Sequence, residues 1–225
     1  MALLKRIAAS LPRRWQQALK RRHVALQILR GRFRADEPEY DKLASLVHPG
    51  DWVLDVGANV GHYTVRLSEL VGPGGRVIAF EPVRETMELL AATVARLPSS
   101  NVTLMHVAAS DTARVAAMTI PKHANGLDDF CLARITPDAT ALTVLCIRID
   151  SLELPSTVTL AKIDTEGHEA AVLRGMEKLL VRDRPVLIVE DSGPEIAEYL
   201  RTLGYDGEKL PGSCNRVFRS VRGQA

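Results

Sequence analysis

Three clusters in the chain hold residues with chemistry to offer. In "DWVLDVGANVGHYT" (51–64), Asp55 sits within an apolar run and is followed by Gly57, Asn59 and Gly61 ahead of a helical pattern. A strand that ends in a glycine turn and enters a helix presents backbone N–H groups to a nucleotide-like ligand at the carboxyl end of a sheet. Glu81 closes a second apolar run in "FEP" (80–82). The third cluster, Asp164, Glu166, His168 and Glu169 in "IDTEGHE" (163–169), gathers titratable groups of the kind that take a proton from a reacting hydroxyl.

The elements that must position these clusters are legible from the apolar pattern. "WVLDV" (52–56), "RVIAF" (76–80), "VTLMHVA" (102–108), "TLAKID" (159–164) and "PVLIVE" (185–190) are apolar runs of strand length, as expected of strands covered on both faces. Helical patterns lie between them at 62–71, 84–97, 168–181 and 195–203. The alternation predicts an α/β, doubly wound sheet, with the third cluster on a strand next to the one that carries Asp55. "RVAAMTI" (114–120) and "LTVLCIRI" (142–149) read as extra strands flanking the loop 121–140, a candidate substrate lid. "GYDGEKLPGSCNRVFRS" (204–220) predicts a terminal antiparallel strand pair.

Composition sets bounds on function. A chain of 225 residues with 46% hydrophobic content can bury one core, and it contains no run of 18 apolar residues. Cys131, Cys146 and Cys214 are odd in number and in no metal-ligand spacing, which predicts reduced thiols, a cytoplasmic location and no zinc site. The net charge of +2 conceals an asymmetry: residues 1–34 hold ten Lys or Arg and no acid, so the remainder has 19 basic against 27 acidic residues, a balance of −8. Leu4, Ile7, Leu11, Trp15, Ala18 and Leu19 recur at helical intervals, so residues 1–40 are expected to form a basic helical arm on a domain spanning 41–225. The arm is expected to pack on its own domain or in a homo-oligomer contact. A contact with an acidic partner or with the inner membrane surface is the second reading, and a disordered or targeting segment the third. A secretory signal is not expected, for want of a continuous apolar core, and nucleic acid is not, for want of interleaved aromatics beside an acidic body.

The glycine turn discriminates between ligands. A dinucleotide wants a glycine where Asn59 stands, so that backbone can approach a pyrophosphate. S-adenosylmethionine carries no phosphate; Asp55 and the 57–61 turn can meet its amino-acid end, and Glu81 its ribose hydroxyls. The plainer alternative has Asp55 as a polar strand end, Asn59 as a helix N-cap and Gly57 as a turn glycine.

"DVGANVGHYT", "FEP", "AASD" (108–111) and "KIDTEGHEAAVLRG" (162–175), followed by "VLIVE" (186–190), occur in the order and spacing of the FkbM family of S-adenosylmethionine-dependent methyltransferases. The resemblance covers about residues 50–220 and leaves the arm outside. It implies a class I methyltransferase (Rossmann-like) fold with a mostly parallel seven-stranded sheet, and methyl transfer to a hydroxyl oxygen of a sugar, polyketide or lipid-linked glycan. It assigns the cofactor loop to Asp55, Gly57, Asn59 and Gly61, the ribose acid to Glu81, and the adenine neighbourhood to Ala109, Ser110 and Asp111. His62 stands where the family often has an aromatic or small residue, and the 121–140 loop follows no family pattern.

Among the acids, Asp164 or Glu166 is the expected general base, with His168 as the competitor and a divalent metal held by the carboxylates as a third reading; no metal is expected. Glu169 is read as a helix N-terminal acid favoured by the macrodipole. Glu190 either lines the pocket or closes its strand, and His23, His48 and His106 are read as structural. A nicotinamide-dependent oxidoreductase and a silent cofactor-binding scaffold are the alternatives to an enzyme that methylates a small-molecule or glycan acceptor.

Overall fold

A computed structural model describes residues 13–29, 32–123, 128–138, 142–191 and 193–221. Leu4, Ile7 and Leu11 of the expected arm and the tips of the 121–140 loop lie outside the described residues. Helix α1 (Arg13–Leu29) is followed by α2 (Pro38–Leu46), β1 (Trp52–Val56), α3 (His62–Val71), β2 (Arg76–Phe80), α4 (Arg84–Val94) and β3 (Val102–Met105). Then come β4 (Ala108–Ala109), β5 (Arg114–Thr119), β6 (Arg134–Thr136), β7 (Leu142–Ile147) and β8 (Val158–Ile163). The chain ends in α5 (Glu169–Gly175), α6 (Glu177–Asp183), β9 (Val186–Glu190), α7 (Pro194–Thr202), β10 (Tyr205–Lys209) and β11 (Asn215–Ser220).

Seven strands form one sheet in the order β10-β11-β9-β8-β1-β2-β3. β1 pairs in parallel with β2 and β8, and the outer pairs β2–β3 and β8–β9 are parallel too. β11 runs antiparallel to β9 and β10, which is the expected terminal pair. The chain winds outward from β1 through β2 and β3, then returns to wind the other way through β8 and β9. The two windings diverge between β1 and β8, and the loops beyond those strand ends part to leave a crevice.

The continuous apolar runs become central strands because each face finds helices to cover it. Leu54, Val56, Ile78, Phe80, Ile163 and Leu187 bury one face against Val172, Leu173, Leu180 and Leu200 of α5, α6 and α7. Val53, Val77, Leu160 and Ile188 bury the other against Leu43 of α2 and Tyr63, Leu67 and Val71 of α3. Alternate residues thus serve opposite cores, as the period of two requires.

Two elements that the sequence reading expected whole are divided. The strand expected over 102–108 divides: Val107 N–H turns back to Met105 C=O at 2.9 Å, and β4 leaves the large sheet to pair with β7. β4 thereby joins a second sheet of order β4-β7-β5-β6, with β5 antiparallel to both β6 and β7. The helix expected over 168–181 divides at Met176. The Asp150 carboxylate accepts from Lys178 N–H at 3.0 Å and Leu179 N–H at 3.1 Å, which caps α6 as a separate helix. Gly175 ends α5 against the Ser110 carbonyl so closely that a Cβ there would lie 1.9 Å from the oxygen.

Candidate active site

The turn after β1 is shaped by contacts that exclude side chains. Gly57 has φ 81°, and a Cβ on it would lie 1.8 Å from the Asp164 carbonyl oxygen, so glycine lets the ends of β1 and β8 meet. Gly57 and Ala58 both donate to Phe80 C=O, at 3.0 and 2.9 Å, and Asn59 N–H donates to Glu81 Oε2 at 2.8 Å with Asn59 in the left-handed region. Gly61 begins α3 at φ 100° with Leu90 packed where its Cβ would be, so its part is packing. The plainer reading of Asn59 as N-cap gives way, since Gly61 holds that position.

Glu81 is nearly fully buried. Besides the bond from Asn59, its Oε1 accepts from Val83 N–H at 2.8 Å and from the Thr86 hydroxyl at 2.7 Å. A carboxylate offers about four lone-pair sites. The three internal bonds leave room for one more donor on this side chain, not for a pair. Burial raises its pKa above the usual carboxylate range, against the pull of those bonds. Asp55, also buried, accepts from the Thr64 hydroxyl at 2.5 Å, and burial pushes its carboxyl up to about 6.

Lys162 is the residue that the sequence reading missed. It pairs in register with Asp55 across β1 and β8, is 3% exposed, donates to Asp164 Oδ2, and holds its ammonium 4.8 Å from the Tyr63 ring centroid. The signal was present: a lysine inside a strand covered on both faces must find a countercharge. Tyr63 in turn donates its hydroxyl to Glu37 Oε2 at 2.6 Å, and Asn215 Nδ2 donates to the same oxygen at 2.9 Å. Phe33 stacks on His62 with centroids 4.3 Å apart. The segment before α2 therefore forms a wall of the crevice, a placement with no local sequence signal because its partners are remote along the chain.

The acidic turn after β8 is organised by Glu169. This fully buried side chain accepts from Thr165 N–H at 2.8 Å, the Thr165 hydroxyl at 3.0 Å and Gly167 N–H at 3.1 Å. Three hydrogen bonds, beyond the macrodipole, account for its position at the start of α5. They draw Glu166 into the left-handed region at φ 55°, uncommon for a residue with a Cβ. Burial and then the charge of Asp164 raise the Glu166 carboxyl. Burial and the charges of Asp164 and Glu166 push Glu190 up to about 7. Carboxylate oxygens of Asp164, Glu166 and Glu190 lie within 4.8 Å of one another. The Lys162 ammonium already supplies countercharge to this group.

His168 Nε2 lies 3.0 Å from the Ser110 hydroxyl, and burial lowers the basicity of its ring. Ser110 is wholly buried, and Asp111 is turned to the Thr112 hydroxyl at 2.7 Å and to Arg174 at 3.6 Å. His23, His48 and His106 are exposed, and Asp191 pairs with Lys209 and Arg216.

A cavity of about 250 Å³ opens at these strand ends. Its polar side is made by Asp55, Asn59, Glu81, Asp164, Glu166 and His168, with Gly57 and Ala109 between them. Its apolar side comes from Met118 of β5, Ile135 of β6, and Phe130 and Ala133 of the intervening loop, so the expected lid does contribute a wall. Gly61, Ser110, Asp111 and Glu190 lie outside the lining. Ser110 instead meets His168, which does line the cavity, and Asp111 meets Arg174. Five lining acids (Glu37, Asp55, Glu81, Asp164, Glu166) face one lysine, a field that favours a cationic ligand.

Residues 55–206, two thirds of the chain, match the family model for the methyltransferase FkbM domain. A hexuronic acid methyltransferase of Haloferax volcanii is 26% identical over 157 residues, which is 68% of this chain and 61% of that protein. A protein-L-isoaspartate O-methyltransferase of Aeropyrum pernix is 55% identical over 40 residues, 18% of this chain and 15% of its own. The crystal structure of an FkbM methyltransferase from Methylobacillus flagellatus superposes with a TM-score of 0.56 at 16% identity, over 81% of this chain and 50% of that one. At that identity the likeness is one of fold. The chain spans less than two thirds of the length of each of these relatives.

Proposed function

This chain belongs to the FkbM methyltransferase family, and from that premise we propose that it methylates a hydroxyl oxygen of a sugar, polyketide or other natural-product or glycan acceptor. S-adenosylmethionine is the cofactor, and when bound it would supply a sulfonium methyl group for an oxygen nucleophile to take, with neutral S-adenosylhomocysteine as the leaving group. The residues of the crevice fit such a cation: among the described residues, five acids line it against one lysine. The nicotinamide alternative falls with the family assignment.

Asp55 and the turn through Asn59 receive the amino-acid end, and the remaining lone pair of Glu81 receives one ribose hydroxyl. The observation that carries the hydroxyl-methylating reading is the acidic turn after β8, which shares the cavity with that loop. Its three candidate bases are not equivalent. Asp164 is held by Lys162, and His168 is engaged with Ser110 and disfavoured as a cation by burial. Glu166 makes no hydrogen bond among the described residues, and burial and the charge of Asp164 raise its carboxyl, which makes it the stronger proton acceptor. Glu166 accordingly takes the acceptor's hydroxyl proton, while Asp164, paired with Lys162, lines the same cavity as the cationic donor.

The name of the Haloferax relative supports a sugar among the acceptor classes. We place the enzyme in the cytoplasm, acting on a small molecule or glycan and not on nucleic acid. Residues 1–40 are assigned to the arm and 41–225 to the methyltransferase domain. No helix among the described residues is long and apolar enough to cross a membrane.

The test uses labelled S-adenosylmethionine with a panel of uronic acids and neutral glycosides. Glu166→Gln is expected to lower turnover by about 10²- to 10⁴-fold, with S-adenosylhomocysteine affinity within a few fold by calorimetry. Asp164→Asn is expected to lower it less, and a chelator to leave it unchanged. Full activity in both carboxamide variants beside a dead His168→Ala would hand the role to the histidine, and inactivation by chelator would hand it to a divalent ion.

A further inference from the structure

Helix α1 is apolar on the side where a surface helix should be polar. Val24, Gln27 and Ile28 are half-buried, whereas Trp15, Leu19 and Leu26 are exposed at 56%, 48% and 39%. At about 100° per residue, Trp15, Leu19, Arg22 and Leu26 fall within roughly 60° of one another, and Val24 and Ile28 lie on the opposite side. α1 rests against α4, so the half-buried side is the one the body covers. A helix that served only to pack on its own domain would turn its tryptophan and leucines inward.

Charge narrows what can meet the outward stripe. Residues 1–34 hold ten Lys or Arg and no acid, while the rest of the chain is at −8. Two such arms repel one another, and an anionic lipid surface attracts them while it repels the acidic body, leaving the arm as the point of approach. Trp15 has the amphipathic ring that favours the headgroup level, and the stem of Arg22 can lie along apolar surface with its guanidinium among phosphates. We infer that α1 is a docking helix for an anionic membrane surface, with Trp15, Leu19 and Leu26 entering the headgroup–acyl boundary. This goes beyond the methyltransferase reading and does not depend on it. If both hold, the acceptor is met at a lipid surface.

The experiment uses the full chain with Trp52→Phe, which leaves Trp15 as the sole tryptophan reporter. Vesicles of phosphatidylcholine with phosphatidylglycerol are compared with phosphatidylcholine alone. Expected are co-sedimentation with the anionic vesicles only, a blue shift of Trp15 emission, quenching by lipids brominated on the acyl chain, and weakening by salt. Replacing Trp15, Leu19 and Leu26 by Ser should lower vesicle binding at least about tenfold. S-adenosylhomocysteine affinity and the melting temperature should not move. The inference is overturned if neither vesicle binds, if the triple variant binds as well as its parent, or if acyl-chain quenching is absent. It is overturned equally if the stripe proves to hold a dimer, seen as a change of mass on triple substitution; the exposed Val115 and Leu145 of the small sheet would then be the natural seat.

Discussion

Glu81 and Lys162 act at a distance of one hydrogen bond, and their replacement should separate binding from protonation. Three internal donors already converge on Glu81, so Glu81→Ala removes a ribose acceptor and also releases Asn59 N–H from its anchor. S-adenosylhomocysteine binding should weaken by roughly ten- to a hundredfold, from charge-assisted bonds worth about 1.5–3 kcal/mol; calorimetry reads this, and an unchanged dissociation constant in folded protein would contradict it. Lys162→Met keeps the chain length and removes the ammonium that faces Asp55 and Asp164. Without that cation the ionised forms of Asp55 and Glu166 are less favoured, so the acid limb of the turnover–pH profile should move to higher pH. The loss of stability should be below the about 3–5 kcal/mol of a fully buried broken pair, because the Asp164 side chain is 31% exposed and solvent screens it. Lys162 was visible in the sequence as a charge inside an apolar run; its partners were not, since Asp55 and Tyr63 reach it only through strand register and helix packing.

At the scale of elements, the two departures from periodicity have local causes that can be tested. The apolar period runs on from α5 into α6, and nothing in it marks the division at Met176. The cap is Asp150, 28 residues upstream of Lys178. Asp150→Ala should cost about 0.5–2 kcal/mol, seen as a lower thermal midpoint without change in cofactor affinity. Gly175→Ala should cost more, about 1–3 kcal/mol from overpacking, since a Cβ would meet the Ser110 carbonyl backbone and no flexible side chain can yield. The displaced Ser110 would also lose His168, so circular dichroism melts should be read beside turnover. The extra strands 114–119 and 142–147 were legible from their β-branched content, yet their gathering into a sheet with β4 was not, because β4 is two residues long and carries no period.

For the whole molecule, the acidic crevice makes stability depend on pH. Asp55, Glu81, Glu166 and Glu190 all have raised carboxyls, with Glu190 at about 7. A carboxyl raised in the folded state binds its proton more tightly there than in the unfolded chain. Its contribution is therefore full below the unfolded value and is lost as pH rises through the folded one. For Glu190 that window runs from about 4.5 to about 7. Glu190→Gln should accordingly raise the melting temperature of the free protein at pH 8, and the gain should fade towards pH 5, where the wild type is protonated too. A gain that is constant with pH would show that the charge is not the cause.

The sequence alone determined the order of the central strands and of most helices between them, the glycine turn and the identity of most acids at the crevice, because strand burial, helix period and turn chemistry are written in residues close together along the chain. It determined equally the charge division between arm and body, which is a count. Only the tertiary structure decided that Lys162 sits between Asp55 and Asp164, that Glu37 joins Tyr63 to Asn215 as a wall of the crevice, that Ser110 meets His168 and Asp111 meets Arg174, and that Trp15, Leu19 and Leu26 face outward. Each of these rests on which surface packs against which, across separations of up to 178 residues, and no short-range pattern specifies such contacts before the strands are in register and the helices have docked.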